Sequence, residues 1–366
     1  MPRLTSTRGT LPPWRSAVGA HRVFLLLVGG YAGAGYAVQE LGGVAGMMRP
    51  LWAAETFLLF YGVAAYSAAI VLVIHRWKAR DDRGNRLEGR QAWRTALGAL
   101  RERMTSAEGA GVLLVIALLP LFMNAFGSWK AAIPQLQPFV WDASFMRLDR
   151  LLHGGADPWR LLEPLLRRPW LVSAWDYGYT LFIPVQTAVV LWQVWNGDHR
   201  ERHRFLIAYV LTWILLGTVA AIGFSSAGPC FYGEVVGGPD PFVPLFELLG
   251  AVHAVHPLGA LEAQQVLWAS HTRGLAIPFT GISAMPSMHV ALPMLFVLVA
   301  WRHRRYLRLL FLAYLGFNLV GSVLLGWHYA VDGYAGMLGA AVIWAVVCGA
   351  SRGTGSLGRA GPPPTR

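Results

Sequence analysis

Long apolar runs alternate with short charged segments along most of the chain. Each run has few charged residues and approaches the ~20 residues that an α-helix needs to cross the ~30 Å hydrocarbon core of a membrane. The pattern therefore predicts an all-α polytopic membrane protein with about eight transmembrane helices. The predicted spans are residues 23–46, 52–75, 110–127, 171–195, 206–224, 286–301, 309–327 and 332–349.

The first of these runs has a second interpretation. It is rich in glycine, and Ala32-Gly33-Ala34 has the small residues of a signal-peptide cleavage site. A cleaved signal peptide is therefore the alternative to a retained first helix. We favour a retained helix, because eight spans then place most of the Lys and Arg residues on one side of the membrane.

Positive charge is concentrated in the segments that eight spans place on one side of the membrane. Because cytoplasmic loops carry an excess of Lys and Arg, both chain termini are predicted to be cytoplasmic. The two motifs described below then fall on the outer face. The segments predicted to be inside hold 23 of the 31 Lys and Arg residues: 1–22, 76–109, 196–205, 302–308 and 351–366.

Composition narrows the class of protein. Only 14% of the residues are charged, against about 25% in soluble domains, which excludes a soluble domain of this size. The net charge of +12 is distributed over the loops between apolar runs, so we expect no nucleic-acid partner. Lys78 and Lys130 are the only lysines among the basic residues, which suggests a GC-rich genome and hence a bacterial inner membrane.

The first motif that suggests chemistry is His328-Tyr329-Ala330-Val331-Asp332. Positions i and i+4 share one face of a helix, so Asp332 can accept a hydrogen bond from the imidazole of His328. That bond fixes the tautomer and leaves the other ring nitrogen free as a nucleophile or base. An ionisable pair at the start of a transmembrane helix indicates function. The alternative is an interfacial pair that caps the helix.

The second motif is Pro286-Ser287-Met288-His289, at the start of an apolar run. Proline followed by serine is typical of a helix N-terminus, where free backbone N–H groups bind phosphate. We therefore expect Ser287 to contact a bound phosphate and His289, in the first turn, to act as a general acid. Taken alone, a histidine in this position is usually an interfacial residue.

Together, P-S-x-H followed one span later by H-x-x-x-D resembles the type 2 phosphatidic acid phosphatase (PAP2) superfamily, over residues 220–345. That family has the motifs Pro-Ser-Gly-His and Ser-Arg-x₅-His-x₃-Asp on a core of six helices. The resemblance implies that residues 110–350 form such a catalytic core. A two-helix extension with a basic cytoplasmic connection, residues 1–109, would precede it, and a disordered tail, residues 351–366, would follow.

The resemblance also implies the roles of three residues. His328 would attack phosphorus and form a phosphohistidine-type intermediate, while Asp332 orients its ring. His289 would protonate the leaving lipid alkoxide and then deprotonate the incoming alcohol or water. The family chemistry needs no metal ion and no other cofactor.

This sequence departs from the PAP2 pattern in three places. Met288 replaces the glycine of the second motif, Ser322 replaces the arginine of the third, and the segment 224–232 replaces the first motif. In these departures the chain is similar to the branch of inositol phosphorylceramide and sphingomyelin synthases, which transfer phosphoryl headgroups between lipids.

The branch resemblance implies an inositolphosphotransferase-like lipid phosphotransferase at the periplasmic face. Its donor would be a phospholipid or a polyprenyl phosphate, and its acceptor a lipid or water. One alternative is a phosphatase that acts on lipid phosphates or pyrophosphates. The other is a non-catalytic membrane protein on the same fold.

Loss of the family arginine leaves the transferred phosphoryl group without a cation. Arg273 is the first candidate to replace it, and Lys130 is the second. Each has an alternative as an interfacial cation that extends towards the headgroups. Ser226, in the segment that replaces the first motif, is a further candidate for substrate binding.

Three aspartates receive no catalytic role. We expect Asp142 and Asp149, in an amphipathic segment, to be solvated. Asp176 would either contact a polar headgroup or lie hydrated at the membrane interface.

Overall fold

The computed structural model describes residues 12–42, 50–80, 84–274 and 281–356. Over these residues the chain forms helices and no strand, apart from an isolated bridge between Arg80 and Arg86. The predicted all-α class is confirmed.

The chain divides into two compact units, and the described parts of Met1–Gly30 and Pro50–Met123 form the first. In this unit α4 packs against α3, and the guanidinium of Arg76 lies 4.7 Å from the ring centre of Trp93. The basic connection predicted between the second and third spans is thus largely helical. The helices that lie wholly or partly in this unit are α1 (Pro13–Ala20), α2 (Arg22–Gly42), α3 (Pro50–Lys78), α4 (Gly89–Thr105) and α5 (Ala107–Leu136).

The second unit comprises the described parts of Tyr31–Arg49 and Asn124–Arg366. It contains both motifs. A π-helical segment, Leu215–Ala220, and a 3₁₀ turn, Pro229–Phe231, complete it. Its further α-helices are α6 (Asp142–Leu152), α7 (Pro158–Leu161), α8 (Glu163–Leu166), α9 (Pro169–Thr180), α10 (Phe182–Val194), α11 (His199–Ile214), α12 (Ala221–Gly223), α13 (Tyr232–Val236), α14 (Val243–His253), α15 (Gly259–Thr272), α16 (Met288–Ala300), α17 (Arg305–Leu324) and α18 (Ala330–Ser356).

Helix α16 is the centre of the second unit. It packs against α10, α11, α17 and α18. A helix that is apolar on all sides is buried on all sides, and α16 fits this rule. Its buried side chains include Val290, Leu292, Leu295, Phe296 and Val299. The second motif, at the N-terminus of α16, therefore lies inside the bundle.

Four helices among the described residues are long and apolar enough to cross a membrane: Ala107–Leu136, His199–Gly223, Arg305–Leu324 and Ala330–Ser351. The pair Pro13–Ala20 and Arg22–Glu40, bent by 71°, would make a fifth if it forms one span. On α18, Leu338, Val342 and Val346 are exposed at a spacing of four residues and form an apolar stripe. These features indicate a multi-pass membrane protein.

Two predicted spans differ in the structure. The span 171–195 is divided into α9 and α10 at Leu181. Pro184 explains the break, because it has no N–H for the carbonyl of Thr180 and its ring would collide with that carbonyl in a continuous helix. The span 286–301 is a helix of only 13 residues, Met288–Ala300.

At the C-terminus, α18 continues to Ser356, into the segment predicted to be a disordered tail. The rest of that segment lies outside the described residues. The domain boundary at residue 109 remains a prediction.

Helix α6 has an inverted pattern of exposure. Leu151 and Leu152 are exposed, whereas Asp142 and Asp149 are buried with Phe145 on the opposite side. A water-facing helix would do the reverse. The prediction that both aspartates are solvated is therefore wrong, and their partners lie in the segment 224–232, at Tyr329 and at the start of α18.

Candidate active site

The third-motif pair lies at the junction between α17 and α18. His328 Nδ1 is 3.3 Å from Asp332 Oδ2, which also accepts the backbone N–H of Tyr329 at 3.0 Å. His328 precedes the first residue of α18, so the turn into the helix, and not helical spacing, brings the two side chains together. Both side chains are buried. With Nδ1 held by the carboxylate, Nε2 is the ring nitrogen left for chemistry.

The backbone around His328 is held from two directions. The N–H groups of Trp327 and His328 both donate to the carbonyl of Ser322, at 3.0 and 3.1 Å. The carbonyl of Asp332 accepts the N–H of Ser287 at 3.0 Å and so joins the third motif to the second. The relative position of the two motifs is thus fixed through main-chain atoms.

His289 lies in the first turn of α16 and faces the same space. The ring centres of His289 and His328 are 6.2 Å apart. The His289 ring stacks on Tyr179, with centres 4.4 Å apart and an angle of 11°, and it also contacts Phe182 at 4.1 Å. These two aromatic residues flank the break between α9 and α10. The structure therefore brings together the three residues that the sequence proposed as catalytic.

Ser287 is the N-cap residue of α16 and is completely buried. Its hydroxyl makes no cap hydrogen bond, and Oγ has no hydrogen-bond partner. A buried hydroxyl at a helix N-terminus, beside two histidines, is suited to a phosphate oxygen. The predicted role of Ser287 in substrate binding remains a prediction.

The two candidate cations lie in different places. Lys130, on α5, is the cation whose charge acts on both His289 and His328. Burial, and secondly the charge of Lys130, lower the pKa of His328 to about 3, while a backbone hydrogen bond of Ala284 opposes the change. The resting imidazole of His328 is therefore neutral, as a nucleophile requires.

Arg273, by contrast, is the exposed C-cap residue of α15. It lines a cavity of about 480 Å³ together with Glu234, Gln264 and Trp268. His289, His328 and Asp332 are not among the residues that line this cavity. The charge effect of Lys130 on both histidines thus favours this second candidate over Arg273, and the choice stays a prediction.

The segment that replaces the first family motif supports both catalytic loops. Ser226 is buried, and its Oγ accepts the N–H of Met285 at 3.3 Å while its carbonyl accepts the N–H of Ala284 at 2.9 Å. Gly228 has a φ of 97°, and a Cβ there would lie 2.7 Å from the carbonyl oxygen of Trp327. Ser226 therefore holds the loop before α16, and its predicted contact with substrate remains a prediction.

Two aspartates that the sequence analysis expected to be solvated instead accept backbone hydrogen bonds that hold the site together. Asp142 accepts the N–H groups of Ala227, at 2.9 and 3.1 Å, and Gly228, at 2.8 Å. It also accepts the hydroxyl of Tyr329 at 2.9 Å, which links the segment 224–232 to the third motif. Burial raises the pKa of Asp142, and its hydrogen-bond donors oppose this change.

Asp149 lies two turns further along α6 and caps α18. Its carboxylate accepts the N–H groups of Ala330 and Val331 at 2.8 and 2.9 Å. Burial raises its pKa to about 6, against the opposing effect of these two donors. The signal in the sequence was present, because Asp142 and Asp149 are seven residues apart and therefore share a helix face with Phe145.

Asp176 has a similar structural role elsewhere. Its carboxylate accepts the N–H groups of Gly259 and Ala260, at 2.8 and 2.9 Å, at the start of α15. The side chain is buried. Both sequence interpretations of Asp176, as a headgroup ligand and as a hydrated interfacial residue, are therefore wrong.

The departures from the family motifs also have a structural account. Met288 Sδ would lie 3.4 Å from a Cβ at Gly217, in the π-helical segment, so this side chain packs into the bundle. Ser322 is completely buried, and its Oγ donates to the carbonyl of Leu319 at 2.9 Å.

Comparison with known proteins gives a family match within the second unit. A model of the PAP2 superfamily matches residues 143–346, more than half of the chain, and the match includes both motifs. No curated protein matches the chain, and no solved structure matches it. A membrane-embedded PAP2 fold indicates a lipid substrate and chemistry of the phosphatase or phosphotransferase type. The chain belongs to the PAP2 superfamily.

Proposed function

We propose that the protein is a membrane lipid phosphotransferase that works through a phosphohistidine intermediate on His328. The observation that carries this proposal is the contact of His328 Nδ1 with Asp332, together with His289 facing the same space with its ring centre 6.2 Å away. A nucleophile, its orienting carboxylate and a second acid–base group are the parts that such a transfer needs.

In the first step, His328 Nε2 attacks phosphorus and the P–O bond to the donor lipid breaks. His289 gives its proton to the leaving oxygen, and a bound phosphate beside it favours the protonated imidazole. In the second step, the acceptor oxygen attacks phosphorus and the P–N bond breaks. The acceptor proton passes to His289, which restores the resting enzyme.

Negative charge on the phosphoryl oxygens needs stabilisation in both steps. Lys130 supplies the cation, since its charge acts on both histidines. The unpartnered Oγ of Ser287 and the N-terminus of α16 supply hydrogen-bond donors. We assign Arg273 no role in this arrangement, because it lines a cavity that none of the three catalytic candidates lines.

Transfer is favoured over hydrolysis because Ser322 stands in place of an arginine and the segment 224–232 replaces the first phosphatase motif. We place the site at the periplasmic face of a bacterial inner membrane, on the distribution of Lys and Arg. The donor is a phospholipid or polyprenyl phosphate, and the acceptor is a lipid. Phosphatase activity on a lipid phosphate or pyrophosphate is the second outcome of the test.

The test uses protein purified in detergent and donor lipids labelled with ³²P in the headgroup. A new labelled lipid indicates transfer, whereas free phosphate without an acceptor indicates a phosphatase. The wild-type protein should carry an acid-labile ³²P label, and His328→Ala should lose both label and turnover. His256→Ala, which removes an exposed histidine, is the matched control. Wild-type turnover by folded His328→Ala would refute the assignment of the nucleophile.

A further inference from the structure

A group of polar side chains lies between α9 and α17, next to the histidine pair. Tyr314, Asn318 and Ser322 follow one another at intervals of four residues on α17, so they share a face that extends ~12 Å along the helix. Tyr179 approaches this face from α9, and Tyr314 and Asp332 are the side chains whose charges act on its hydroxyl. We call Tyr179, Tyr314 and Asn318 the α9–α17 polar cluster.

Close packing of the two helices encloses the cluster. A Cβ on Gly321 would lie 2.9 Å from Trp175 and 3.0 Å from Tyr179, so only glycine permits this approach. The indole of Trp175 donates to the carbonyl of Phe317 at 3.0 Å. Small residues and hydrogen bonds of this kind hold helices together in membranes.

Several polar atoms of the cluster have no partner. Asn318 is completely buried, and its amide donates to the Tyr314 carbonyl at 2.8 Å while its Oδ1 accepts no hydrogen bond. The hydroxyl of Tyr179 and the Oδ1 of Asp332 are also buried and without a partner, whereas the hydroxyl of Tyr314 interacts with the side chain of Asn318. Each such atom costs roughly 1–3 kcal/mol. Three of them beside an active site, Asn318 Oδ1, the Tyr179 hydroxyl and Asp332 Oδ1, point to a ligand that completes their hydrogen bonds.

The chemistry of the cluster selects the ligand. Asn318 Oδ1 and an ionised Asp332 can only accept hydrogen bonds, whereas the two phenols can donate or accept. None of these side chains is a cation, and Ser322 stands where the family resemblance expects one. A phosphate would meet acceptors without a positive charge, which disfavours it. A neutral hydroxyl group can donate to Oδ1 and accept from a phenol.

We propose that the α9–α17 polar cluster binds the hydroxyl group of the phosphoryl acceptor, which is either an alcohol or water. This inference rests on the proposed function. The bound oxygen attacks phosphorus, the P–N bond to His328 breaks with its electron pair returning to the imidazole, and the hydroxyl proton passes to His289. The stacking of Tyr179 on His289 places the cluster next to the base. An alcohol gives a new phosphate ester and water gives a free phosphate.

The first measurement needs no turnover and is radiolytic hydroxyl-radical footprinting of the purified protein. Tyr209 is the reference, because its buried hydroxyl already donates to Gln186. If the cluster holds hydroxyl groups, Tyr179, which is buried like Tyr209, should be oxidised several-fold faster than Tyr209. Asn318→Leu should lower the oxidation of Tyr179 to the Tyr209 rate. Equal oxidation of Tyr179 and Tyr209 in the wild type would overturn the proposal.

The second measurement separates alcohol from water, with ³²P-labelled phosphatidic acid in detergent and glycerol as the added acceptor. If an alcohol binds, Asn318→Leu should raise the KM for glycerol about tenfold, as for one lost hydrogen bond, and so lower the ratio of glycerol phosphate to free phosphate. If water binds, both products should fall together. Unchanged formation of both products would refute the site.

The matched control for this assay is Gln186→Leu, which removes a buried amide with a satisfied hydrogen bond outside the cluster. It should leave the ratio of the two products unchanged. Absence of wild-type turnover would count against the proposed function for this donor. The footprinting would then show independently whether the α9–α17 polar cluster binds a hydroxyl group.

Discussion

Replacing Asp149 by Asn should remove a pH-dependent contribution to the stability of the protein. The carboxylate is buried and accepts two backbone N–H groups at the start of α18, at 2.8 and 2.9 Å. Burial raises its pKa to about 6 from an ordinary value of 3.8. Since α18 carries Asp332 and follows directly on His328, this cap also positions the catalytic pair.

The sign and size of the effect follow from the pKa. The folded protein binds the proton of Asp149 more tightly than the unfolded chain does, so the stability from this group is greatest below pH 3.8. It falls as pH rises from about 4 to about 6 and is constant above that range. About two pKa units correspond to roughly 3 kcal/mol. An asparagine does not titrate, so its variant should lack this slope.

The assay is thermal unfolding in detergent from about pH 4.5 to about pH 7.5. Asp149→Ala should lose both acceptors, unfold at a lower temperature at every pH and lose most of its turnover, because two N–H groups are left unpaired. Asp176→Asn, which alters a similar cap on α15, shows the cost of changing a cap away from the catalytic pair. Equal pH slopes for wild type and Asp149→Asn would refute this account of the buried carboxylate.

Two further predictions concern the phosphate cation and the supporting loop. Lys130→Met should lower turnover about 100-fold and move the acidic limb of the pH–rate profile upwards, because loss of the positive charge raises the pKa of His328. Arg273→Gln is its control. A larger loss of turnover in Arg273→Gln than in Lys130→Met would assign the phosphate-binding cation to Arg273 instead. Gly228→Ala should lower the melting temperature more than Gly237→Ala, because both glycines have positive φ but a Cβ meets a carbonyl only at the former. Equal melting temperatures would show that the loop moves aside.

The features of the fold that could be predicted are those that depend on patterns over many residues. Runs of apolar residues predicted the helical membrane class, and the spacing of two short motifs predicted a meeting of His289, His328 and Asp332. The break at Leu181 was also encoded locally, since Pro184 removes one helical N–H. Periodicity over a whole span nevertheless hid it, because the apolar pattern continues through both helices.

The contacts that could not be predicted depend on which residues, distant in the chain, face each other in the fold. Lys130 is far from both histidines in the chain, and only the packing of α5 shows that its charge reaches them. Arg273 is nearer in sequence to Ser287 but lines a cavity that neither histidine lines. The aspartates of α6 looked hydrated, because their partners are backbone N–H groups, which no side-chain pattern reveals.

Asp332 contributes to the site through both its side chain and its main-chain carbonyl, and a substitution removes only the side-chain contribution. Its side chain orients the His328 ring, whereas its main-chain carbonyl sets the separation of the two motifs through the N–H of Ser287. Any amino acid supplies the carbonyl. A substitution at this position therefore changes the orientation of the His328 ring and the support of the Tyr329 N–H, but it keeps the main-chain bond that joins the two motifs.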